Sequence, residues 1–326
     1  MKNDGLHSVL SLIGPQAERI GDLWWLMFWV CAVVMALVTL GLLGAMIRSR
    51  RRKENEARQP IAPESRRRMI LVVAGSVTLT VLTLFVLLVA SVSTGRDLGS
   101  STASNALTIE VVGHQWWWEI EYQDPVPANL VADANEIHIP VGRPVLIRGT
   151  SGDVIHSFWV PSLHGRKDLI PGQTTDTWIK ADKPGVYRGL CAEFCGHQHA
   201  QMQFLVVAEP PEKFQAWLAA QRQPAAPPKT PLEARGQQVF LQSQCALCHT
   251  IRGTGRGTGA GGTAGPDLTH IASRRTLGAG ILPNTRGHLK GWIVNAQSSK
   301  PGNRMPPTVI RSEDLNALLA YLESLK

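Results

Sequence analysis

Residues 191–202 read CAEFCGHQHAQM. Cys191 and Cys195 are four apart, His199 follows four later and Met202 three beyond that. One short segment thus offers two thiolates, an imidazole and a thioether. Soft sulfur donors with an imidazole and a weak thioether suit copper in electron transfer. A mononuclear site of that kind uses one Cys, whereas two on one loop can bridge two copper ions and spread the unpaired electron over both. Each ion then needs a terminal His. His199 is one, and His156, in DVIHSFWVP between two predicted strands, is the best candidate for the other. A Cys191–Cys195 disulfide is one alternative, but it leaves the His and Met spacing without a reason. Zinc is another, but Met is a poor zinc ligand. His197 lies in the same loop, and spacing alone does not set it aside.

The flanking sequence is β in pattern. Strands are expected over 107–112, 116–122, 136–139, 144–148, 155–160, 175–180 and 203–208. Pro125, Pro127, Gly142, Gly152, Pro161, Pro171-Gly172 and Pro184-Gly185 supply the turns between them. Short strands at this spacing build a sandwich or a barrel.

Towards the N-terminus the character changes. Leu23–Ile47 and Met69–Ser93 are each uncharged runs of 25 residues, long enough to cross a hydrocarbon core of roughly 30 Å. Trp24, Trp25 and Trp29 cluster at one end of the first run, as an interfacial belt does. Between the runs, residues 48–68 hold nine Lys/Arg against three acids. The positive-inside bias puts that loop in the cytoplasm and both chain ends on the other side. The expected location is a bacterial inner membrane with the exported part in the periplasm. A cleaved leader is not evident, because Asp4, Glu18 and Asp22 interrupt the first 22 residues. Cys31 reads as an apolar residue of the first span.

Towards the C-terminus, QRQPAAPPKTP (221–231) reads as a semi-rigid spacer. It leads into EARGQQVFLQSQCALCH, which ends in Cys245-Ala-Leu-Cys248-His249, the c-type haem attachment spacing. Two thiols add to the haem vinyl groups and the adjacent His supplies an axial nitrogen. Met305, in GNRMPP, is the soft donor expected on the opposite face, and Met/His ligation raises the haem potential. Leu315, Leu318, Leu319, Leu322 and Leu325 share one face of a final helix that Ser312 is expected to cap. The Gly-rich stretch 252–265 lacks the Gly-Lys-Ser/Thr ending of a phosphate-binding loop and reads as a flexible insertion.

These segments resolve the bland composition. The 326 residues are 44% hydrophobic with a formal net charge of +8. That charge divides into +5 over residues 1–93, −4 over 94–228 and +7 over 229–326. The basic character is therefore a topology signal plus a basic C-terminal domain, and it carries no nucleic-acid function. The acidic middle and the basic end have the signs to attract each other. The five cysteines form two local pairs and one membrane residue, which excludes a disulfide-rich scaffold.

HSFWVPSLHGRKDLIPG and CAEFCGHQHAQM closely resemble subunit II of haem–copper cytochrome c oxidases over about residues 20–210. Residues 232–326 resemble a class I cytochrome c. The resemblance implies a multidomain membrane protein. Its parts are an N-terminal segment (1–22), a two-helix transmembrane hairpin (23–94), an all-β cupredoxin-like sandwich (95–212), a linker (213–231) and an all-α cytochrome c domain (232–326). It implies a binuclear copper centre of the CuA type on His156, Cys191, Cys195, His199 and Met202, with Glu193 giving its backbone carbonyl. The Glu193 side chain is implied to reach a magnesium ion shared with subunit I. In GHQWWWEIEY, Trp116 matches the Trp near which electrons enter, while Trp117 and Trp118 read as core. Asp168, in KDLIPG, matches a residue facing subunit I. In the C-terminal part, Gly236, Phe240, Leu318 and Tyr321 match the crossing helices, and Pro266 matches the Pro whose carbonyl holds the haem His.

The function implied is electron transfer in an aa-type oxidase, from a covalent haem c on Cys245, Cys248, His249 and Met305 to the copper pair and on to subunit I, where oxygen becomes water. Expected partners are subunits I and III, membrane lipid, and an upstream donor that is a cytochrome c or a quinol:cytochrome c oxidoreductase. A nitric oxide reductase with the same copper centre is the runner-up. A non-catalytic copper-binding module with an attached cytochrome is the reading from a different class. A quinol oxidase subunit is disfavoured, because the copper ligands and the haem motif are intact.

Overall fold

The computed structural model describes residues 9–51, 63–99, 107–254 and 264–326. Most of the Gly-rich stretch 252–265, the centre of the basic loop 48–68 and the first eight residues lie outside that description.

Two helices, α1 (Pro15–Arg51) and α2 (Pro63–Gly99), carry the two uncharged runs. Each opens on a Pro, which a first helical turn tolerates, with Glu18 or Glu64 in that turn to complement the dipole. Both helices run past the apolar stretches into polar flanks. Their apolar side chains are exposed all round, from Trp29 and Met35 to Leu79 and Phe85. A helix that is apolar on every face over such a length is suited to lipid. Hydroxyls inside α2 are satisfied within the helix: Ser76 Oγ donates to the Val72 carbonyl at 2.8 Å and Thr80 Oγ1 to that of Ser76 at 2.9 Å.

Two five-stranded sheets form the middle of the chain. The first contains β1 (Leu107–His114), β2 (Trp117–Tyr122), β3 (Val131–Ala134), β5 (Val145–Ser151) and β8 (Thr175–Ile179), in the order β3-β2-β1-β5-β8. The second contains β4 (Glu136–Pro140), β6 (His156–Trp159), β7 (Lys167–Leu169), β9 (Gly185–Cys191) and β10 (Gln203–Glu209), in the order β4-β10-β9-β6-β7. Alternation puts Ile109 and Val111, Trp118 and Ile120, Val145 and Ile147, and Tyr187 into the space between them. The sandwich expected from the sequence is thus present, with β3, β7 and β9 in addition to the seven expected strands.

At one corner the alternation stops. All five residues of β4 are buried, as are Phe204–Ala208 of β10, so the outer face of the sheet is covered there. Part of the cover is α3 (Pro211–Gln221), which lies where the sequence places the start of the linker 213–231. Phe214 and Leu218, one helical turn apart, join the sandwich core, and Trp217 stacks flat on His138 at 4.1 Å. The non-helical spacer therefore begins at Arg222. The rest of the cover comes from the C-terminal domain, where Ala279 accepts from the Gln203 amide at 3.0 Å.

That domain consists of α4 (Pro231–Gln242), the short α5 (Cys245–Cys248), a two-stranded ladder of β11 (Thr276–Leu277) and β12 (Leu282–Pro283), α6 (Arg286–Asn295) and α7 (Ser312–Ser324). A capping box starts α4: Thr230 Oγ1 accepts from the Glu233 amide while Glu233 reaches back to the Thr230 amide. Gly236 lets α4 press against Ala317 of α7, and Phe240, Leu315, Leu318, Leu319, Tyr321 and Leu322 fill the core beside this crossing. Ser312 does not cap α7. Arg311 holds the cap position and Ser312 is the first helical residue. Asp314 anchors the first turn instead, gripped by Arg235 and Arg311, each at 2.8 Å.

Phe214→Ala is expected to destabilise the sandwich by about 3–5 kcal/mol, read as a shifted denaturation midpoint of the full chain in detergent. A free linker residue would leave that midpoint unchanged.

Candidate functional site

The donors predicted from the sequence converge at one end of the sandwich. Strand pairing sets the first step, because Phe158 of β6 lies opposite Cys191 at the end of β9. His156 opens β6 two residues earlier and so stands beside the loop that leaves Cys191. That loop turns through His199–Gln201, a single 3₁₀ turn, and returns as β10, with the Cys191 amide bonded to the Met202 carbonyl at 3.0 Å. The sulfurs of Cys191 and Cys195 are 3.8 Å apart. A disulfide needs about 2.05 Å, and both thiols are free. Around them, His156 Nδ1 lies 3.8 Å from Cys191 Sγ and His199 Nδ1 lies 3.6 Å from Cys195 Sγ. Met202 Sδ lies 3.8 Å from Cys195 Sγ, and the Glu193 carbonyl 3.2 Å from Cys191 Sγ. His156, Met202 and both cysteines are buried, His199 partly so.

The surroundings orient these donors. His156 Nε2 donates to Asp153 Oδ1 at 2.8 Å, which leaves the Nδ1 lone pair aimed at the thiols. Gly113 makes the room: a Cβ there would lie 2.7 Å from the His156 ring. The Cys195 carbonyl accepts twice, from Gln115 Nε2 at 2.8 Å and from Trp116 Nε1 at 3.0 Å. Hydrogen bonding from Cys195 pulls the Cys191 thiol down to about 3, and the same partnership pushes Cys195 up. On their own only one of the two ionises readily. A bound cation reverses that by deprotonating coordinating thiols outright.

The other sequence-predicted residues sort clearly. Trp118 is fully buried in the core, and Trp117 stacks on the His114 ring at 4.6 Å. Trp116 is partly buried against the loop 191–202. Glu193 pairs with Arg166 at 3.6 Å and keeps 40% of its side chain accessible. Asp168 Oδ1 is buried without a hydrogen-bond partner among the described residues. His197 is exposed.

The second group of donors lies in the C-terminal domain. Cys245 and Cys248 are free thiols at the two ends of the single turn α5, and His249 follows directly. His249 Nδ1 donates to the Pro266 carbonyl at 2.8 Å, as the sequence suggests, and so presents Nε2. Burial lowers the His249 pKa and keeps the ring neutral, the form that ligates a metal. Gly265 is again a space-maker, since a Cβ there would lie 2.6 Å from His249 Cε1. Met305 sits half-buried in the segment before α7, its amide bonded to Asn303 Oδ1 and its carbonyl to Gln297 Nε2.

Sequence reasoning missed Asp153, Gly113, Gly265 and Lys300. Asp153 had one signal, a carboxylate three residues before a suspected ligand. Lys300 had none. It is 2% exposed, although it is a lysine.

Gly113→Ala is expected to cost about 1–3 kcal/mol by displacing the His156 ring, measured by denaturant titration of the full chain.

Two family models match parts of the chain. Residues 125–209 match the family model for the periplasmic domain of cytochrome c oxidase subunit II, and residues 233–326 match that for cytochrome c. A cytochrome c oxidase subunit 2 of Alkalihalophilus pseudofirmus is 35% identical over 96% of this chain and 89% of its own length. That of Bacillus sp. (strain PS3) is 30% identical over 85% of this chain and 80% of its own. The solved periplasmic domain of subunit II from Bradyrhizobium japonicum is 30% identical, with a TM-score of 0.35, covering 37% of this chain and 97% of that one. With one relative matched almost end to end and a family model on each of the two C-terminal parts, the chain belongs to the cytochrome c oxidase subunit II family, in a form that carries a C-terminal cytochrome c domain.

Proposed function

We propose that this subunit is where electrons enter an oxygen-reducing oxidase, and that it carries both a copper pair and a covalent haem. Two copper ions would be held by His156, Cys191, the Glu193 carbonyl, Cys195, His199 and Met202. The haem would be held by Cys245 and Cys248, with His249 and Met305 as axial ligands. The convergence of five soft or imidazole donors, linked by separations of 3.6–3.8 Å around two thiols that are not bonded to each other, carries the copper reading. The chemistry of the donor set fits a thiolate-bridged pair, and the free Nε2 of His249 beside two thiols fits a c-type haem.

When bound, these groups supply one-electron oxidation and reduction, while reduction of oxygen itself belongs to subunit I. The chain's own residues hold the donors still. Asp153 fixes the His156 tautomer, Pro266 fixes that of His249, and Gln115 and Trp116 clamp the loop through the Cys195 carbonyl. Burial of Cys191, Cys195, His156 and Met202 keeps water away from the sulfur donors. A shell that neither moves nor rehydrates needs little reorganisation when its charge changes.

The placement proposed is a membrane hairpin with the loop 48–68 in the cytoplasm and both exported domains in the periplasm. The half-accessible Glu193 carboxylate and the unpartnered Asp168 Oδ1 support contact with subunit I, with magnesium reaching Glu193 there. Subunit III, lipid, and a cytochrome c or quinol:cytochrome c oxidoreductase donor complete the assembly.

Copper and haem quantification with electron paramagnetic resonance is the test. The wild-type chain is expected to hold two coppers and one haem and to give a mixed-valence copper signal. Cys191→Ser should abolish that signal while the haem spectrum stays unchanged, and an unaltered copper signal would falsify the bridging assignment. Met305→Leu is expected to keep the haem covalently attached and to lower its potential, measured by redox titration.

A further inference from the structure

The C-terminal domain is seated on the copper-ligand loop, and one buried residue lies at the centre of the contact. Lys300 Nζ donates to the Trp116 carbonyl at 2.7 Å, the Gln201 carbonyl at 2.8 Å and the Gly278 carbonyl at 2.9 Å. An ammonium group has three donors, and all three are used. Two acceptors belong to the sandwich and one to the C-terminal domain, so a single side chain ties the two together. No carboxylate takes part. Burial pushes the Lys300 ammonium down to about 7, and three carbonyl oxygens, which can only accept, favour its protonated form.

Neighbouring contacts continue the same seam. Gln198 Nε2 donates to the Pro301 carbonyl at 2.6 Å. A Cβ on Gly302 would lie 3.7 Å from the His197 ring and 3.9 Å from the Trp116 ring. Arg304 pairs with Asp153 at 3.4 Å, and Asp153 is the residue that orients His156. The segment 300–304 thus covers Trp116 and reaches the hydrogen-bond shell of the copper donors, and Met305 is the next residue.

Charge attraction is the weaker part of this seam. Arg304–Asp153 has its Arg 66% exposed, and exposed pairs contribute little. Asp133–Arg274, at 2.7 Å, is buried on both sides, but it holds β3 and not the ligand loop. Lys300, with Gln198 beside it, fixes the segment on the copper-ligand loop itself, through bonds that bulk salt does not reach.

Resting on the copper and haem assignments above, we infer that Lys300 is a positioning residue: it locks the Met305 segment onto Trp116 and the copper-ligand loop. The Trp116 face is thereby occupied in cis, and a soluble electron donor is directed to the haem domain and kept off the copper site. The step this serves moves one electron from the reduced haem iron to the oxidised copper pair, with no bond made or broken and no proton exchanged.

The test uses the full chain in detergent, loaded with copper and haem, as wild type, Lys300→Met and Lys300→Arg. The first variant keeps the aliphatic stem and removes the donors. The second keeps the charge but does not fit a cage built for three short bonds. Two readouts report the seat. One is hydrogen exchange of the Gln203 amide, whose acceptor is Ala279 across the seam at 3.0 Å. The other is the rate of intramolecular reduction of copper after rapid reduction of the haem. Losing charge-assisted bonds should raise the exchange rate and slow the transfer by about tenfold or more in Lys300→Met. It should also let a soluble cytochrome c reduce the copper directly, with both cofactor spectra unchanged. Lys300→Arg should shift both readouts in the same direction. Native spectra with unchanged exchange and transfer in both variants would overturn the inference. So would loss of haem from Lys300→Met with no change at Gln203. A wild type that binds no copper or haem would instead defeat the cofactor assignments, and the exchange measurement would still decide the role of Lys300.

Discussion

The end of the sandwich where the soft donors converge depends on a register. Phe158 lies opposite Cys191 in the pairing of β6 with β9. A slip of one residue would turn His156 to the other face of the sheet and leave the thiols without their imidazole. The register is held from inside the sandwich, where Phe158, Phe204 and Trp118 pack with ring centroids 4.7–6.3 Å apart. Those aromatic rings offer no donor atom of their own, yet they decide which donors meet. Donor geometry is therefore set by the hydrophobic core and only trimmed by hydrogen bonds.

The same device appears at both groups of donors. Asp153 takes the Nε2 proton of His156, and the Pro266 carbonyl takes the Nδ1 proton of His249. Each oxygen leaves the opposite nitrogen as the only lone pair on its ring. Each ring also has a glycine beside it, Gly113 or Gly265, where any side chain would collide. Two unrelated folds, one β and one α, reach the same local solution because an imidazole has only two nitrogens to divide between support and ligation.

Much of this was legible in the sequence, and the reason is locality. Cys191, Cys195, His199 and Met202 fall within twelve residues, and Cys245, Cys248 and His249 within five, so spacing alone exposes them. Alternating strands such as Leu107–His114 announce themselves through period-two burial. β9 was harder, because Arg188 and Gly189 interrupt its apolar pattern. The helix Pro211–Gln221 was hidden by its neighbours, since a run flanked by Pro-rich sequence reads as linker until Phe214 and Leu218 are seen in the core. Asp153 and Lys300 carry no periodic signal. Each acts through partners that are distant in sequence, as when Lys300 meets Trp116 across 184 positions. Such contacts exist only after folding.

Because α3 belongs to the sandwich, the true tether is only residues 222–230. Its start is pinned as well, by Arg222 on Asp124 at 2.8 Å and by the Ala225 amide on the Arg252 carbonyl at 2.9 Å. A Pro-rich segment of that length reaches no more than about 30 Å even when fully drawn out. The cytochrome c domain therefore stays within that reach of its own sandwich. Each chain brings one cytochrome c domain to one sandwich on a short lead, so their ratio is fixed at one to one when the chain is synthesised.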